Sequence, residues 1–345
     1  MKILIIQQKM IGDVLISSLL CENIKKWNPS SEVDFVANRH TLPILENNLN
    51  IDNVIVFEDY FKKNKISFFK FLMDRQYKKY DFVIDAYGKT ESYLTTWFTN
   101  AKFKIGYKKW YSKWVYSKSI LRKHKRTDNG LQLTIVNRLE LLKPIIGDQF
   151  EYLTKPKIYF SKKEKQIVKK KINEKCQPII MISLMGSSKL KTYPLNKMSE
   201  IINFITKHYN VKLILNYLKD QENEAKSIFN LLSPRSRQSI LNLTPNSLRD
   251  YILTVSQCDA IIGNEGGAIN IAKALKLPSF SIFSPQINPN GWISQSSKEV
   301  GVHIMNYEKS FINFKLKNKE ILRYYERFKF GYFKDELSIF LNQLK

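Results

Sequence analysis

Nothing in this 345-residue sequence approaches the roughly 20 consecutive apolar residues that a membrane-crossing helix needs. The opening Met1-Lys2-Ile3-Leu4-Ile5-Ile6 run stops at Gln7 with no small-residue cleavage site behind it, so it fails as a signal peptide, and the chain is expected to stay in the cytoplasm. Cysteine is scarce. Cys21, Cys176 and Cys258 show no CxxC spacing and no neighbouring histidines, which excludes a zinc site or a disulfide framework and suits small core residues. Acids are also few. Against 31 Asp and Glu stand 56 Lys and Arg, a net charge of +25, which implies a polyanionic partner: nucleic acid, an anionic membrane surface or a phosphorylated glycolipid. Codon bias toward lysine is the bland source of the same excess. A hydrophobic content of 43% with 13% aromatics is enough for packed interiors, and the length suits two α/β domains rather than one core.

The first half alternates short β-rich runs with amphipathic helical patterns, which predicts parallel βαβ units. Strands are expected at Lys2–Gln7, Glu32–Ala37, Asn53–Phe57 and Asp81–Ala86, with helices at Asp13–Trp27, Leu42–Asn48, Ser67–Tyr80 and Leu131–Leu142. Between Ala86 and Leu131 the pattern weakens into a basic, aromatic stretch. A second alternating series begins near Lys157. Its strands are expected at Ile179–Leu184, Lys212–Asn216, Ala260–Ile262 and Ser279–Phe283, and its helices at Lys197–His208, Glu222–Leu231, Ser247–Cys258 and Ala268–Leu275. The boundary is placed at 155/156, giving domains 1–155 and 156–345, with the last helix packing back on the N-terminal domain. Ligands of such sheets bind beyond the carboxyl ends of the strands, so the loops there are where chemistry is sought.

Three loops carry suitable residues. Gln7-Gln8-Lys9-Met10-Ile11-Gly12-Asp13 leads into the first helix; Gly12 permits close approach to the backbone, and Asp13 is either an N-cap or a general base facing a cleft. Gly186-Ser187-Ser188-Lys189-Leu190-Lys191 combines hydroxyls with lysine ahead of a helix, a cradle for pyrophosphate or a solvated turn. In Gly263-Asn264-Glu265-Gly266-Gly267-Ala268-Ile269-Asn270, a strand runs through consecutive glycines into a small-residue helix, so backbone N–H groups and a positive helix end converge on one point. A tight turn would explain the glycines but not the carboxylate beside them.

Taken together, these loops resemble those of the family 9 glycosyltransferases, whose members include the ADP-heptose lipopolysaccharide heptosyltransferases, over Met1 to about Trp292. The resemblance rests on Gly12-Asp13 after the first strand, on Ser187-Ser188 with Lys191 and Tyr193-Pro194, and on Gly263 to Pro278 running into Phe280-Ser281-Ile282-Phe283-Ser284-Pro285. It implies the two-domain GT-B architecture, two Rossmann-like parallel-sheet domains facing a cleft, and inverting sugar transfer from a nucleoside diphosphate to a lipopolysaccharide core or similar glycolipid. Asp13 is then the base. Gly12, Ser187, Ser188, Lys191, Asn264, Glu265, Gly266, Gly267 and Asn270 line the donor, and Glu222 holds its ribose or else is an exposed helix-start acid. Three positions depart from the family pattern: Glu265 stands where aspartate is usual, Gly266 where threonine is, and Asn270 where histidine is. The donor sugar is therefore less defined than the reaction class.

No two aspartates lie two apart, so the Asp-x-Asp pair by which many single-domain glycosyltransferases hold a cation is missing, and no metal or cofactor is expected. Lys191, the serines and the glycine amides would meet the diphosphate charge instead. Lys102 to Arg126 holds ten Lys or Arg, six aromatics and no acid. Lys108, Lys109, Trp110, Lys113 and Trp114 suit an anionic headgroup layer or sugars beside phosphates, which places the protein peripherally on the inner membrane face. Two other classes stay open. A basic nucleic-acid-binding protein fits the charge, although no RRM, KH or zinc-finger pattern supports it and no nucleic acid is expected; a sugar-nucleotide-binding homologue without catalysis fits the altered Glu265 to Asn270 loop.

Overall fold

The computed structural model describes all residues except 111, 126–129, 173–176, 312 and 345. Arg126 and Cys176 lie outside the described residues, as do the side chains of residues 168–172. The chain divides into two compact units, Met1–Phe160 and Ser161–Lys345.

In the first unit the strands are β1 (Lys2–Ile6), β2 (Glu32–Asn38), β3 (Asn53–Phe57), β4 (Lys79–Asp85), β5 (Asn100–Tyr107) and β6 (Lys118–Ile120). They form one parallel sheet in the order β3-β2-β1-β4-β5-β6. A strand covered on both faces should be apolar throughout rather than alternating, and Ile3, Leu4, Ile5 and Ile6 are all fully buried at the centre of the sheet. The helix Ile11–Trp27 returns the chain from β1 to β2 and is buried along most of its length from Gly12 to Ile24. Below the sheet, Phe57 packs edge-on against Phe61, Phe68 and Phe71, the last two from the helix Lys65–Tyr77.

The second unit contains β7 (Ile179–Ser183), β8 (Lys212–Asn216), β9 (Ala260–Asn264), β10 (Ser279–Ile282) and β11 (Glu299–Val302), again all parallel, in the order β11-β10-β9-β7-β8. Beyond β8, Ile240 makes an isolated parallel bridge to Leu213, and the Leu241 N–H donates to the Leu213 carbonyl at 2.8 Å. That segment occupies the place of a sixth strand. Each unit thus follows the same winding, and its order reverses between two central strands: β1 and β4 in the first, β7 and β9 in the second.

Several expectations are corrected. Leu42–Asn48 is not an α-helix: Arg39–Ile44 forms a short 3-10 helix with Pro43 inside it, where the missing N–H and fixed φ prevent a regular helix. The basic stretch holds two strands, β5 and β6, preceded by the helix Thr90–Phe98. Lysines at strand positions concealed β5, yet they are accommodated: Lys102 Nζ donates to Asp81 at 2.8 Å and Lys104 Nζ to the Trp97 carbonyl at 2.8 Å. Beyond Phe283 the chain adds β11 and the helices Asn318–Arg327 and Lys334–Asn342. The last helix buries Leu337, Phe340 and Leu341 in the core of the second unit, with Phe280 and Phe333.

His303 sits fully buried beside Phe311 and Phe314. Its Nδ1 accepts from the Met305 N–H at 3.0 Å, which leaves Nε2–H to donate to the Pro285 carbonyl at 3.2 Å, so the ring is neutral. Burial pushes its pKa down to about 4 from the usual 6.5. Between those values the unfolded chain binds a proton that the folded chain refuses, so stability falls as pH drops from about 6.5 to 4 and levels off below. The loss attributable to this ring should reach about 3 kcal/mol. Urea unfolding of wild type and His303→Asn across this range should show a smaller decline in the variant.

Candidate active site

The loops after β1 and β4 meet at the reversal point of the first sheet. Met10, just ahead of the helix Ile11–Trp27, has φ +66° and ψ 117°, a backbone conformation rare for a residue with a side chain. Asp13 falls in the first turn of that helix, where a carboxylate is favoured by the helix end. It is not the N-cap: Met10 holds that position without a side-chain cap bond. Asp13 Oδ1 instead accepts from Arg138 Nη2 at 2.9 Å, while its side chain keeps 28% of its surface exposed. Arg138 comes from the helix Leu133–Glu140 and is buried. Burial would lower its pKa, but Tyr107 and Asp13 outweigh that and hold it above the ordinary value. Gly12 is buried in the first turn of the same helix as Asp13.

Across from β1, Asp85 ends β4. Its carboxylate is fully buried and accepts from the N–H groups of Tyr87 (3.0 Å) and Gly88 (2.7 Å), from Ser92 Oγ (2.9 Å) and from Tyr116 Oη (2.7 Å). Burial raises its pKa despite these donors. Tyr116 reaches Asp85 by lying over Gly106, where a Cβ would fall 2.4 Å from its ring; no other residue fits that crossing. Lys109 Nζ donates to the Gly88 carbonyl and so is drawn onto the same loop. Lys108, Trp110, Lys113 and Trp114 remain at the surface, with Trp110 87% and Trp114 72% exposed and the Lys113 ammonium 5.5 Å from the Trp114 ring centroid. Among the aromatics of the basic stretch, Tyr107 and Tyr116 pack inward while these two tryptophans do not.

In the second unit, the loops after β7, β9 and β10 are joined by side chains. Asn264 is buried, and its Nδ2 donates to the carbonyls of Ser183 (3.1 Å) and Leu184 (2.8 Å) while its Oδ1 accepts from the Tyr193 N–H at 2.6 Å. Both amide hydrogens are spent inside the protein, so Asn264 positions the loops instead of presenting its amide N–H groups to a donor. Gly263, at φ +134°, lets β9 lie against β7: a Cβ there would meet the Ser183 carbonyl oxygen at 2.3 Å. Ser284 Oγ and Gln286 Nε2 hold the Leu190 carbonyl at 2.7 and 3.1 Å, fixing the turn that carries Lys191. Among the described residues, the Ser187 and Ser188 hydroxyls and the Lys191 ammonium have no protein partner. Those three groups are available.

The helix Gly267–Ala274 follows Gly266, and its first backbone bond runs from the Asn270 N–H to the Gly266 carbonyl, leaving the preceding N–H groups at the helix end. Asn270 Nδ2 also donates to the Gly266 carbonyl at 3.1 Å, bracing the same turn. Glu265 is buried, within the field of Lys273. Lys273 donates to the Trp292 carbonyl at 2.5 Å and pairs with Glu299 at 3.1 Å; burial lowers its pKa, with Glu299 and Glu265 opposing. Glu222 is half-exposed and pairs with Lys226 one turn along at 2.7 Å, which lowers its pKa. Its neighbour Gln221 donates to the Gly186 carbonyl at 3.0 Å, so the Glu222 turn is tied to the serine loop. Beside it, an open groove runs along β8, lined by Leu215, Tyr217, Phe229, Ile240 and Leu243.

Among the described residues no three His, Cys, Asp or Glu side chains converge as a metal site, and no helix is long and apolar enough to cross a membrane. Arg138, Tyr107, Gln7 and Asp85 were not singled out in the sequence. The signal for Arg138 was present: with Ile135, Leu139 and Leu142 it falls on the buried face of an amphipathic helix, where an unpaired arginine is costly.

Two parallel sheets of this winding, with hydroxyl, lysine and glycine loops at the reversal point of the second, define an α/β protein of the GT-B type. The model of glycosyltransferase family 9 (heptosyltransferase) matches residues 69–317, and the chain belongs to that family and is a transferase. It is 26% identical over 293 residues to a lipopolysaccharide heptosyltransferase 1 of Campylobacter coli, covering 82% of this chain and 84% of the relative. Two solved structures share the fold. A family 9 glycosyl transferase of Veillonella parvula superposes with TM-score 0.72 at 15% identity, covering 94% of this chain and 96% of its own. The ADP-heptose lipopolysaccharide heptosyltransferase II of E. coli does so with TM-score 0.69 at 17% identity, covering 95% and 98%.

If Asn264 holds the three loops together, its removal should register as lost stability. Asn264→Ala orphans two buried carbonyls and one N–H, and should cost about 2–4 kcal/mol in denaturant unfolding. Wild-type stability in that variant would show the loops to be held otherwise.

Proposed function

We propose that this protein transfers a heptose or similar sugar from a nucleoside diphosphate, ADP in the first instance, to a lipopolysaccharide core or related phosphorylated glycolipid, with inversion and without a metal ion. The carrying observation is Asp13: a carboxylate at the reversal point of its sheet, one oxygen held by Arg138 and the side chain still open to solvent. Family membership and the names of the Campylobacter and E. coli relatives support heptosyl transfer to lipopolysaccharide.

In the proposed reaction, Asp13 takes the proton of the acceptor hydroxyl as its oxygen attacks the anomeric carbon. The bond from that carbon to the diphosphate oxygen breaks, and its electron pair leaves with the diphosphate. Lys191, the Ser187 and Ser188 hydroxyls and the N–H groups of Gly266 and Gly267 would neutralise that charge. Glu222 would bind the ribose and Glu265 the sugar hydroxyls, with Asn270 bracing the Gly266 turn. The groove along β8, where Leu215, Tyr217, Phe229 and Ile240 lie with Arg237, Asn242 and Thr244, would offer a nucleobase both apolar surface and polar groups. Trp110 and Trp114, exposed among Lys108 and Lys113, suit the headgroup layer of an anionic bilayer and would keep the protein at the inner membrane face.

A thermal-shift series of nucleoside diphosphates and their sugars tests the donor, since a ligand that binds only the folded state raises the melting temperature. ADP or ADP-heptose should raise it; absence of a shift from every nucleotide would remove the donor reading. Asp13→Asn should lower turnover by a factor of about 1,000 or more while keeping the ADP shift. Association with the bilayer is separable. The Trp110→Ala, Trp114→Ala double variant should lose most of its cosedimentation with phosphatidylglycerol vesicles, and unchanged cosedimentation would place the contact elsewhere.

A further inference from the structure

Arg138 is bonded in an unusual way for a residue of an ion pair. Its Nε donates to Ser17 Oγ at 2.8 Å, its Nη1 to Tyr107 Oη at 2.9 Å, and its Nη2 to both Gln7 Oε1 at 3.0 Å and Asp13 Oδ1 at 2.9 Å. Four of the five guanidinium N–H groups are therefore engaged, by the segment after β1, by the first helix and by the end of β5. Each partner is itself oriented. Tyr107 Oη donates to the Asn137 carbonyl at 3.0 Å, so only its lone pairs face Arg138, and Gln7 Nε2 donates to the Lys9 carbonyl at 2.9 Å, which turns Oε1 toward the guanidinium. Arg122 lies over the Tyr107 ring at 3.9 Å and closes that side.

The pair is asymmetric in exposure. The Arg138 side chain is 7% exposed and that of Asp13 28%, and among the described residues the second Asp13 oxygen has no protein partner. A purely structural pair would be expected to bury both groups or use both oxygens. Here a fixed cation grips one oxygen and leaves the other presented.

We propose that Arg138 is a positioning residue of the transfer reaction: it holds the Asp13 carboxylate so that the free oxygen faces the acceptor hydroxyl, with Tyr107 and Gln7 fixing the guanidinium. This rests on the reading of Asp13 as the base. A misplacement of the base by about 1 Å costs on the order of 100-fold in rate, so the effect should fall on kcat rather than on donor binding.

The test uses the full chain, with ADP release from ADP-heptose in the presence of a lipopolysaccharide acceptor as the readout. Arg138→Ala should lose roughly 100-fold in kcat with donor KM and the ADP-induced thermal shift unchanged. Guanidinium ion added at tens of millimolar, below denaturing levels, should restore at least about tenfold of that loss in Arg138→Ala and nothing in Asp13→Asn. A folded Arg138→Ala variant within about threefold of wild-type kcat, or one that guanidinium leaves unimproved, overturns the proposal. Where Arg138→Ala does not fold, Tyr107→Phe takes its place: it should lower kcat about tenfold at unchanged KM, and wild-type kcat overturns the proposal. The base assignment fails separately. Wild-type turnover in Asp13→Asn would remove it whatever the Arg138 variants do.

Discussion

A parallel strand can be followed by a parallel neighbour only if the chain returns across a face of the sheet, and that constraint governs this molecule. Every return by helix brings the next strand in from the same end, so all carboxyl ends, and every loop that leaves them, lie on one edge of each sheet. At the place where the winding reverses, two such loops diverge and leave a crevice between them. Asp13 and Asp85 stand there in the first unit; Gly186 to Lys191 and Asn264 to Gly267 stand there in the second.

What keeps those openings from collapsing is buried polar bonding. Asn264 spends its whole amide on neighbouring loops, Ser284 and Gln286 share one carbonyl, and Asp85 satisfies four donors at once. Each such group would be expensive if half satisfied, so each loop has essentially one geometry. The groups left over, Ser187, Ser188 and Lys191, are then free to act on a ligand rather than on the fold.

The central strands and their helices were legible because their signal is local. Ile3 to Ile6, Ile180 to Ile182 and Ala260 to Ile262 are apolar throughout, and turn residues bound them. β5 was hidden because Lys102 and Lys104 look like loop residues until Asp81 and the Trp97 carbonyl, contributed from elsewhere in the chain, are in place. The return of the chain after Phe283 was hidden for a similar reason: Phe328, Phe333 and Phe340 read as scattered aromatics until they close on Tyr193 and Phe280. Site residues divided the same way. Asp13, Lys191 and the Gly266-Gly267 turn sit in contiguous motifs, whereas Arg138 lies 125 residues from the carboxylate it grips, and no spacing rule connects the two.

The outer edge of the second sheet has a further consequence. β8 is joined to β7 by a full ladder but to the segment beyond it by a single bridge at Ile240 and one bond from Leu241. Ile240 and Leu243 from that segment line the groove together with Leu215 and Tyr217. Widening that groove therefore breaks very few hydrogen bonds and leaves the rest of the sheet intact; on the proposed donor reading, the diphosphate end would be rigid and the base end compliant. A protein built this way should discriminate sharply among anionic groups and tolerate variation in the ring attached to them.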